Sequence, residues 1–471
     1  MDSTLACLAA WMPRQRWYAG KGRVPSLRMI ATWDLPDPFA DGGPTGVRVR
    51  TFLVADEGVL PPVLYQIPVV ARATAAVDAA GHIIGSPEPG TTLIDGPHDP
   101  AYSEALLRLV TRGGEGTGAG AVARGCPSRL ETPPGVPAAG GVGVQAGTDA
   151  AIAEVVNGEQ SNTSIVYRGA SAVPPVICKV YRQVHPGLNP DIELQTALAE
   201  AGSRDVPGAV GSVAGTWPDP TDPGRTVDGS LAFAQEFLPD VQDAWRVALG
   251  AAAAGDDFAT RASDLGTATA HVHVSLAGLF DTRSPADEDR DATAAAWQRR
   301  LSIAVVEVPA LAPFREAIEA VYARAMEVPW PALQRVHGDY HLGQVILVPG
   351  RGWVLLDFEG EPLRPMAERV RPDLALRDVA GMLRSFDYVA GSVGLDRPDR
   401  SPESVQEWAR AARHSFLDGY AAASGVDLAA LRPLLDALEL DKAVYEAIYE
   451  SRNRPTWITI PLQAVARLSA A

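Results

Sequence analysis

The sequence predicts an α+β protein in which two strand-rich modules precede one long helical region. Up to about residue 240, short apolar runs such as Val47–Val54 and Val63–Val70 alternate with turn residues, which is the spacing of strands. Beyond that point, Ala-rich stretches around 241–285, 289–326, 402–423 and 427–453 have helical length, interrupted by one short β stretch that ends at Asp357. A chain of 471 residues, 46% of them hydrophobic, is too long for one small core, so several packed subdomains are expected.

In chain order, residues 1–110 read as a strand-rich N-terminal cap module, with sheet signals from Trp11 to about Pro97. Gly, Ala and Pro dominate residues 111–150, as in Gly113-Gly-Glu-Gly and Pro133-Pro-Gly-Val-Pro. Such a stretch cannot bury enough apolar surface to order itself and reads as a flexible connection or mobile loop. Residues 151–238 form a β-rich lobe with one helix from Asp191 to Ala201, started by Pro190 and Asp191 and closed by Gly202. That lobe ends on the strand Leu231–Leu238, and residues 239–471 form the helical lobe. No repeat of solenoid period is visible.

Bulk charge narrows the partners. With 41 Lys+Arg against 57 Asp+Glu the net charge is −16, which repels a phosphate backbone and argues against nucleic acid and anionic membrane. Cys7, Cys126 and Cys178 make neither a paired framework nor metal-ligand spacing, so a reducing compartment fits. No apolar run approaches the roughly 20 residues of a membrane span, and the first residues lack a basic stretch followed by an apolar one. A soluble cytoplasmic protein is expected.

The chemistry is concentrated in Val336-His-Gly-Asp-Tyr-His-Leu-Gly-Gln344 and in Asp357-Phe-Glu-Gly-Glu-Pro362, two loops that flank a short strand. Phosphoryl transfer needs a carboxylate to orient the attacking hydroxyl and oxygen ligands to hold magnesium against the phosphates. Asp339 suits the first task, and Gln344 and Asp357 suit the second. Gln344 lies five positions after Asp339 (344 − 339 = 5), the offset of the metal-binding amide in kinase catalytic loops, with Gln in place of the commoner Asn. Asp357 heads its loop as the metal-binding Asp heads the Asp-Phe-Gly element. Upstream, Lys179 sits among apolar residues on a predicted strand, where a lysine for the α/β-phosphates is needed, and Glu193 on the following helix is its expected partner, with Glu200 on the same helix a poorer substitute. Gln160, Ser161, Asn162 and Thr163 fall in a polar hairpin where a phosphate-covering loop belongs, although an ordinary turn would look the same. Gln235, Glu236, Phe237 and Leu238 are placed by topology as the hinge against adenine. The fold implied is bilobal and protein-kinase-like, with ATP and Mg2+ as cofactors.

The chain resembles the actinobacterial maltokinases, relatives of the aminoglycoside phosphotransferases. The resemblance rests on Arg16–Arg23, Gln160–Ser164, His337–Gln344, Asp357–Pro362, Leu376–Tyr388, and Ala443–Pro455 with Trp457. It implies ATP-dependent phosphorylation of maltose at the anomeric hydroxyl, giving maltose 1-phosphate for glycogen synthesis, and possible association with trehalose synthase. It also suggests that Asp378 accepts backbone N–H groups of the catalytic loop, a supporting task shared with His337. Sugar hydroxyls need charged acceptors and ring faces need stacking, so His341, Asp387, Glu446, Tyr449, Arg452 and Trp457 are the sugar-site candidates. Glucosamine kinases share the catalytic loop and cap but carry Asp-Phe-Asp-Gly-Asn where this chain has Asp357-Phe-Glu-Gly-Glu, which favours maltose. The alternatives are an amino-sugar or aminoglycoside kinase and an inactive scaffold for trehalose synthase.

Overall fold

The computed structural model describes residues 3–40, 46–77, 82–128, 152–156, 161–169, 174–222, 224–361, 364–397 and 399–470, and every count below refers to these. They separate into two units, one of residues 1–196 and 207–238, the other of residues 197–206 and 239–471.

The first unit opens with helix α1 (Ser3–Trp11) and strands β1 (Leu27–Leu35), β2 (Arg48–Asp56), β3 (Val63–Ala73), β4 (Ile83–Glu88) and β5 (Thr91–Asp95). Helix α2 (Pro100–Arg112), β6 (Gly114–Thr117), β7 (Val122–Pro127), β8 (Ile152–Val155), β9 (Asn162–Arg168) and β10 (Val176–Tyr181) follow. Helix α3 (Pro190–Glu200), β11 (Ala209–Pro218) and β12 (Thr226–Glu236) complete the order. Among the described residues, all twelve strands join one sheet in the order β4-β5-β3-β2-β1-β6-β7-β11-β12-β10-β9-β8. Neighbouring strands pair antiparallel, such as Cys178 opposite Ala234 and Ile165.

This sheet corrects the expectation for residues 111–150. Gly114–Thr117 and Val122–Pro127 are strands, and they join the cap sheet to the lobe sheet through Asp34–Thr117 and Ser212–Cys126 pairing. Gly-rich text can enter a sheet when flanking strands supply the hydrogen bonds. Gly125 and Gly211 are required there, because a Cβ on either would stand within 2.2 Å of a carbonyl oxygen of α2. Residues 129–151 lie outside the described residues.

Strands β2 and β3 are buried along nearly their whole length, as expected for strands covered on both faces. One face packs Leu8, Trp11, Met12, Trp17, Tyr18, Phe52 and Tyr65 into an aromatic core, with Trp17–Tyr65 ring centroids 5.7 Å apart. Each fully buried aromatic of this kind contributes about 4–6 kcal/mol as an upper bound from its area. Cap and lobe are also joined by main chain. Gln66 N–H donates to Arg182 O at 2.9 Å, and its side-chain amide donates to Tyr181 O and Leu231 O, both at 2.8 Å. The fully buried Arg182 reaches Thr163 Oγ1 at 2.8 Å and Asp95 Oδ2 at 2.8 Å, with its guanidinium 5.0 Å from the Trp17 ring centroid.

The second unit contains β13 (Gln242–Asp243), α4 (Ala244–Ala254), α5 (Ala259–Leu279), α6 (Asp287–Glu307), α7 (Arg315–Glu327), β14 (Val345–Val348) and β15 (Gly352–Leu355). It continues with α8 (Met366–Arg369), α9 (Leu376–Asp396), α10 (Pro402–Ser424), α11 (Arg432–Asn453) and α12 (Thr459–Ser469). The helix ends follow capping rules. Asp243 accepts from Arg246 N–H at 2.7 Å to start α4, and Ser401 with Pro402 starts α10, which Gly425 ends at φ 71°. Helices α5 and α10 approach backbone to backbone, since a Cβ on Gly266 would lie 2.0 Å from Phe416 O and one on Gly419 2.1 Å from Ser263 O. No helix of the described residues is long and apolar enough to cross a membrane.

Candidate active site

The loop from Arg335 to Gln344 is fixed from below by α9. The buried Asp378 accepts from His337 N–H at 2.8 Å through Oδ2 and from Gly338 N–H at 2.9 Å through Oδ1, while His273 Nε2 approaches Oδ2 at 3.0 Å. Burial alone would raise the Asp378 pKa, but the hydrogen bond and charge of His273, the nearby His337 and the Gly338 N–H together hold it below the usual carboxylate range. His337 donates from Nε2 to Leu356 O at 2.8 Å, which leaves Nδ1 to accept from Asp339 N–H at 3.4 Å. Its ring packs on Phe358 with centroids 4.7 Å apart. These bonds clamp the two loops named from the sequence to each other.

Asp339 is about one-fifth exposed and projects from this clamped turn, with His341 Nε2 4.0 Å from its Oδ2. Desolvation lowers the His341 pKa despite the attraction of Asp339. Gln344 Nε2 donates to Asp357 Oδ2 at 3.0 Å, so the amide and the carboxylate meet although 13 residues separate them. Asp357 itself holds φ 66°, a conformation that costs a non-glycine residue of order 1–3 kcal/mol and is concentrated at functional sites. The carboxylates of Asp357 and Glu359 bring ligand oxygens within 4.8 Å of each other.

Two adjoining chambers lie beside this loop. The smaller, 40 Å³, is lined by Asp339, Glu361, Arg300, Arg364, Asp441, Lys442 and Tyr445 among others. The larger, 490 Å³, shares Tyr340, Gly381 and Lys442 with it and adds His341, Trp245, Tyr388, Glu446, Arg454 and Trp457. Its aromatic wall is held rigidly. Trp457 stacks on Tyr388 with centroids 6.2 Å apart and lies 4.5 Å from the Arg454 guanidinium, and Tyr388 Oη and Arg454 both donate to Glu450. Cations answer the carboxylates of both chambers. Burial alone would raise the Glu361 pKa, but Lys442, Arg364 and Arg300 bring it below its ordinary value, while burial raises Glu446 in spite of Arg384 and Lys442. Burial and the Glu361 carboxylate together push the Tyr445 hydroxyl up to about 12.

His341, Glu446 and Trp457 line the larger chamber, whereas three other candidates are placed elsewhere. Asp387 is held by Arg384 at 2.5 Å and Arg467 at 2.7 Å, in an ion network with Arg413 and Glu439 that ties α9, α10, α11 and α12 together. Arg452 pairs with Glu307 at 2.5 Å on the surface. Tyr449 is 43% exposed and does not line either chamber. Asp387 and Arg452 are turned to other charges, and helical periodicity alone does not show which side chains are covered. The sequence missed Lys442, Tyr445 and Asp441, although Asp441 and Tyr445, and Lys442 and Glu446, are i, i+4 pairs and Lys442 and Tyr445 an i, i+3 pair on α11.

In the first unit, Lys179 Nζ donates to the fully buried Asp191 at 2.9 Å. Asp191 is therefore an acid the sequence passed over in favour of Glu193, which lies half a turn further along α3. Both face the first turn of α3, and spacing does not choose between them. Thr163 and Asn162 belong to β9 rather than to a loop, and Thr163 Oγ1 is turned to Arg182. Ser161 is exposed just before β9, and Gln160 lies outside the described residues. At the end of β12, Gln235 Oε1 accepts from Gln195. Glu236 N–H and Phe237 N–H donate to Gly208 O and Pro175 O, both at 2.8 Å. Leu238 follows as the last residue of the unit.

Comparison with known proteins agrees with this geometry. Residues 11–99 match the maltokinase N-terminal cap domain, and residues 152–434, more than half the chain, match the phosphotransferase enzyme family. A glucosamine kinase of Streptacidiphilus jiangxiensis is 32% identical over 64% of this chain and 70% of its own length. One of Mycolicibacterium smegmatis is 31% identical over 66% of this chain and 78% of its own. A solved glucosamine kinase in complex with glucosamine, ADP and inorganic phosphate superposes with TM-score 0.65 at 24% identity, covering 98% of each chain, which shows the shared fold. The α+β architecture is thus that of the aminoglycoside-phosphotransferase-like kinases, and the chain belongs to the phosphotransferase enzyme family as a kinase that acts on a hydroxyl acceptor.

Proposed function

We propose that the chain transfers a phosphoryl group from ATP to the anomeric hydroxyl of maltose, giving maltose 1-phosphate and ADP. Asp339 orients that hydroxyl and takes its proton, a role open to a partly exposed carboxylate on a clamped loop beside a chamber. Two carboxylates and an amide at Asp357, Glu359 and Gln344 form a hard-oxygen set that suits Mg2+, which when bound neutralises phosphate charge. Lys179, steadied by Asp191, is the cation for the α/β-phosphates, and Leu238 N–H is the hinge donor for adenine.

Charge is the observation that carries the acceptor. In the larger chamber Lys442 and Arg454 stand against Glu446, which is already paired with Arg384 at 2.7 Å. In the smaller one Glu361 is paired with Arg364 at 3.1 Å. The smaller chamber sets Arg300, Arg364, Arg377 and Lys442 against Asp339, Glu361, Asp378 and Asp441, so neither chamber has an excess of acid for an ammonium group, and neutral hydroxyls suit both, with a stacking face on Trp457 in the larger. The match to a maltokinase cap supports the same acceptor. A glucosamine kinase is the second reading, favoured by the names of the curated relatives.

The test is kcat/KM for maltose, glucose and glucosamine by coupled ADP release. Maltose is expected to lead by roughly tenfold or more, since each buried polar group left unpaired costs about 1–3 kcal/mol. A glucosamine preference overturns the maltose reading.

A further inference from the structure

We propose that Trp245 is an acceptor-binding residue whose indole stacks on a ring of the acceptor sugar inside the larger chamber. Trp245 is the second residue of α4 and lines that chamber together with His341 and Gly343 of the catalytic loop. The buried Ala244, Val247, Ala248 and Ala251 anchor the helix, which makes it a rigid base for the indole.

The other tryptophans set this one apart. Seven of the ten are buried, and only Trp245, Trp408 and Trp457 are half-buried. Trp408 packs on Phe258 and Phe386 and donates from Nε1 to Asp256 O at 3.1 Å, and Trp457 is engaged by Tyr388 and Arg454. Among the described residues the Trp245 indole makes no ring contact, no cation–π contact and no hydrogen bond. A large apolar ring gains most by leaving water, so a tryptophan that the fold neither buries nor engages is uncommon. The group that covers it is the one that occupies the chamber. That occupant has to reach Asp339 in the smaller chamber across the shared wall of Tyr340, Gly381 and Lys442, which makes it the acceptor. A sugar offers hydroxyls to His341, Lys442 and Glu446 and an apolar C–H face to an indole. A disaccharide brings two such faces, and two indoles line the chamber, Trp245 and Trp457.

The inference rests on the sugar-kinase reading, and the experiment separates the two. Wild type, Trp245→Phe, Trp245→Leu and Trp245→Ala are compared on the preferred sugar by calorimetric titration into the ADP-bound enzyme and by kcat/KM from ADP release. KM for ATP and the melting temperature are measured alongside. Trp245→Ala is expected to lose roughly tenfold or more in sugar Kd and in kcat/KM, with KM for ATP within about twofold of wild type. Trp245→Phe, which keeps an aromatic face, is expected to stay within about threefold of wild type, and Trp245→Leu to behave like Trp245→Ala. If Trp245→Ala also stays within about threefold on the sugar, or if Trp245→Leu restores binding as well as Trp245→Phe, no ring face is in use and the proposal falls. An alanine variant that melts far below wild type puts the ring in the core and overturns it as well. A wild-type preference for glucosamine sinks the maltose reading alone, because the same comparison is then run on glucosamine. A wild type with no sugar acceptor sinks both.

Discussion

Asp378→Asn should both destabilise the helical unit and slow catalysis, for a reason visible in three hydrogen bonds. The Asp378 carboxylate serves His337 N–H and His273 through one oxygen and Gly338 N–H through the other, at 2.8, 3.0 and 2.9 Å. An asparagine has one acceptor oxygen, so its amide must face at least one of these donors. The loss of one charge-assisted bond, about 1.5–3 kcal/mol, combines with a buried donor left unpaired, about 1–3 kcal/mol. A total of about 3–5 kcal/mol is the range for breaking a buried charged group from its partners. The catalytic loop would then sit loosely, so kcat should fall by about a hundredfold or more while nucleotide affinity changes little. The assay is urea unfolding followed by near-UV circular dichroism, with kcat from ADP release. A shift below about 1 kcal/mol with unchanged kcat would refute the clamp. The same carboxylate predicts acid sensitivity. Its folded pKa lies below the unfolded value, so its contribution is present above about pH 4 and is lost as pH falls through the folded pKa.

Asp339→Asn should leave nucleotide binding nearly intact and lower turnover by orders of magnitude, which isothermal titration with ADP and steady-state kinetics check together. Asp357→Ala should instead abolish metal-dependent nucleotide binding, and an unchanged magnesium dependence would make the residue structural. Gly381→Val should impair the acceptor side, because even a Cβ at this position would lie 2.5 Å from Tyr340 O; the expected result is a raised KM for the sugar with little change in KM for ATP. His98 is held by burial at a pKa of about 4, against its ordinary 6.5, with His82 and Arg182 lowering it further and Asp95 opposing. The unfolded chain therefore binds more protons between these values, so stability should fall by about 2–3 kcal/mol as pH drops from 6.5 to 4 and level off below. His98→Gln should flatten that slope in pH-dependent melts.

Much of the fold was legible because its strands and helices announce themselves by period. The runs at Val47–Val54 and Val63–Val70 became β2 and β3, and the helix expected from Asp191 to Ala201 is α3. Strands β6 and β7 were not legible, since they are held by their neighbours' hydrogen bonds and by glycines that permit close approach, neither of which leaves an apolar pattern. Helix α9 was also missed as an element, although its residues were recognised as a motif. At the site, Asp339, Gln344 and Asp357 stood out because loop chemistry fixes their spacing. Asp387 and Arg452 did not separate from Lys442 and Asp441, because all four are charged residues on helices and only tertiary packing decides which face meets a chamber and which meets another charge.

The position of the transferred phosphate tests the central claim most directly. Incubation with ATP, Mg2+ and maltose, followed by proton-coupled ³¹P NMR of the product, should give a phosphorus resonance coupled to the reducing-end H1. A resonance coupled to the methylene protons of a primary hydroxyl, or product formed only from glucosamine, would contradict it.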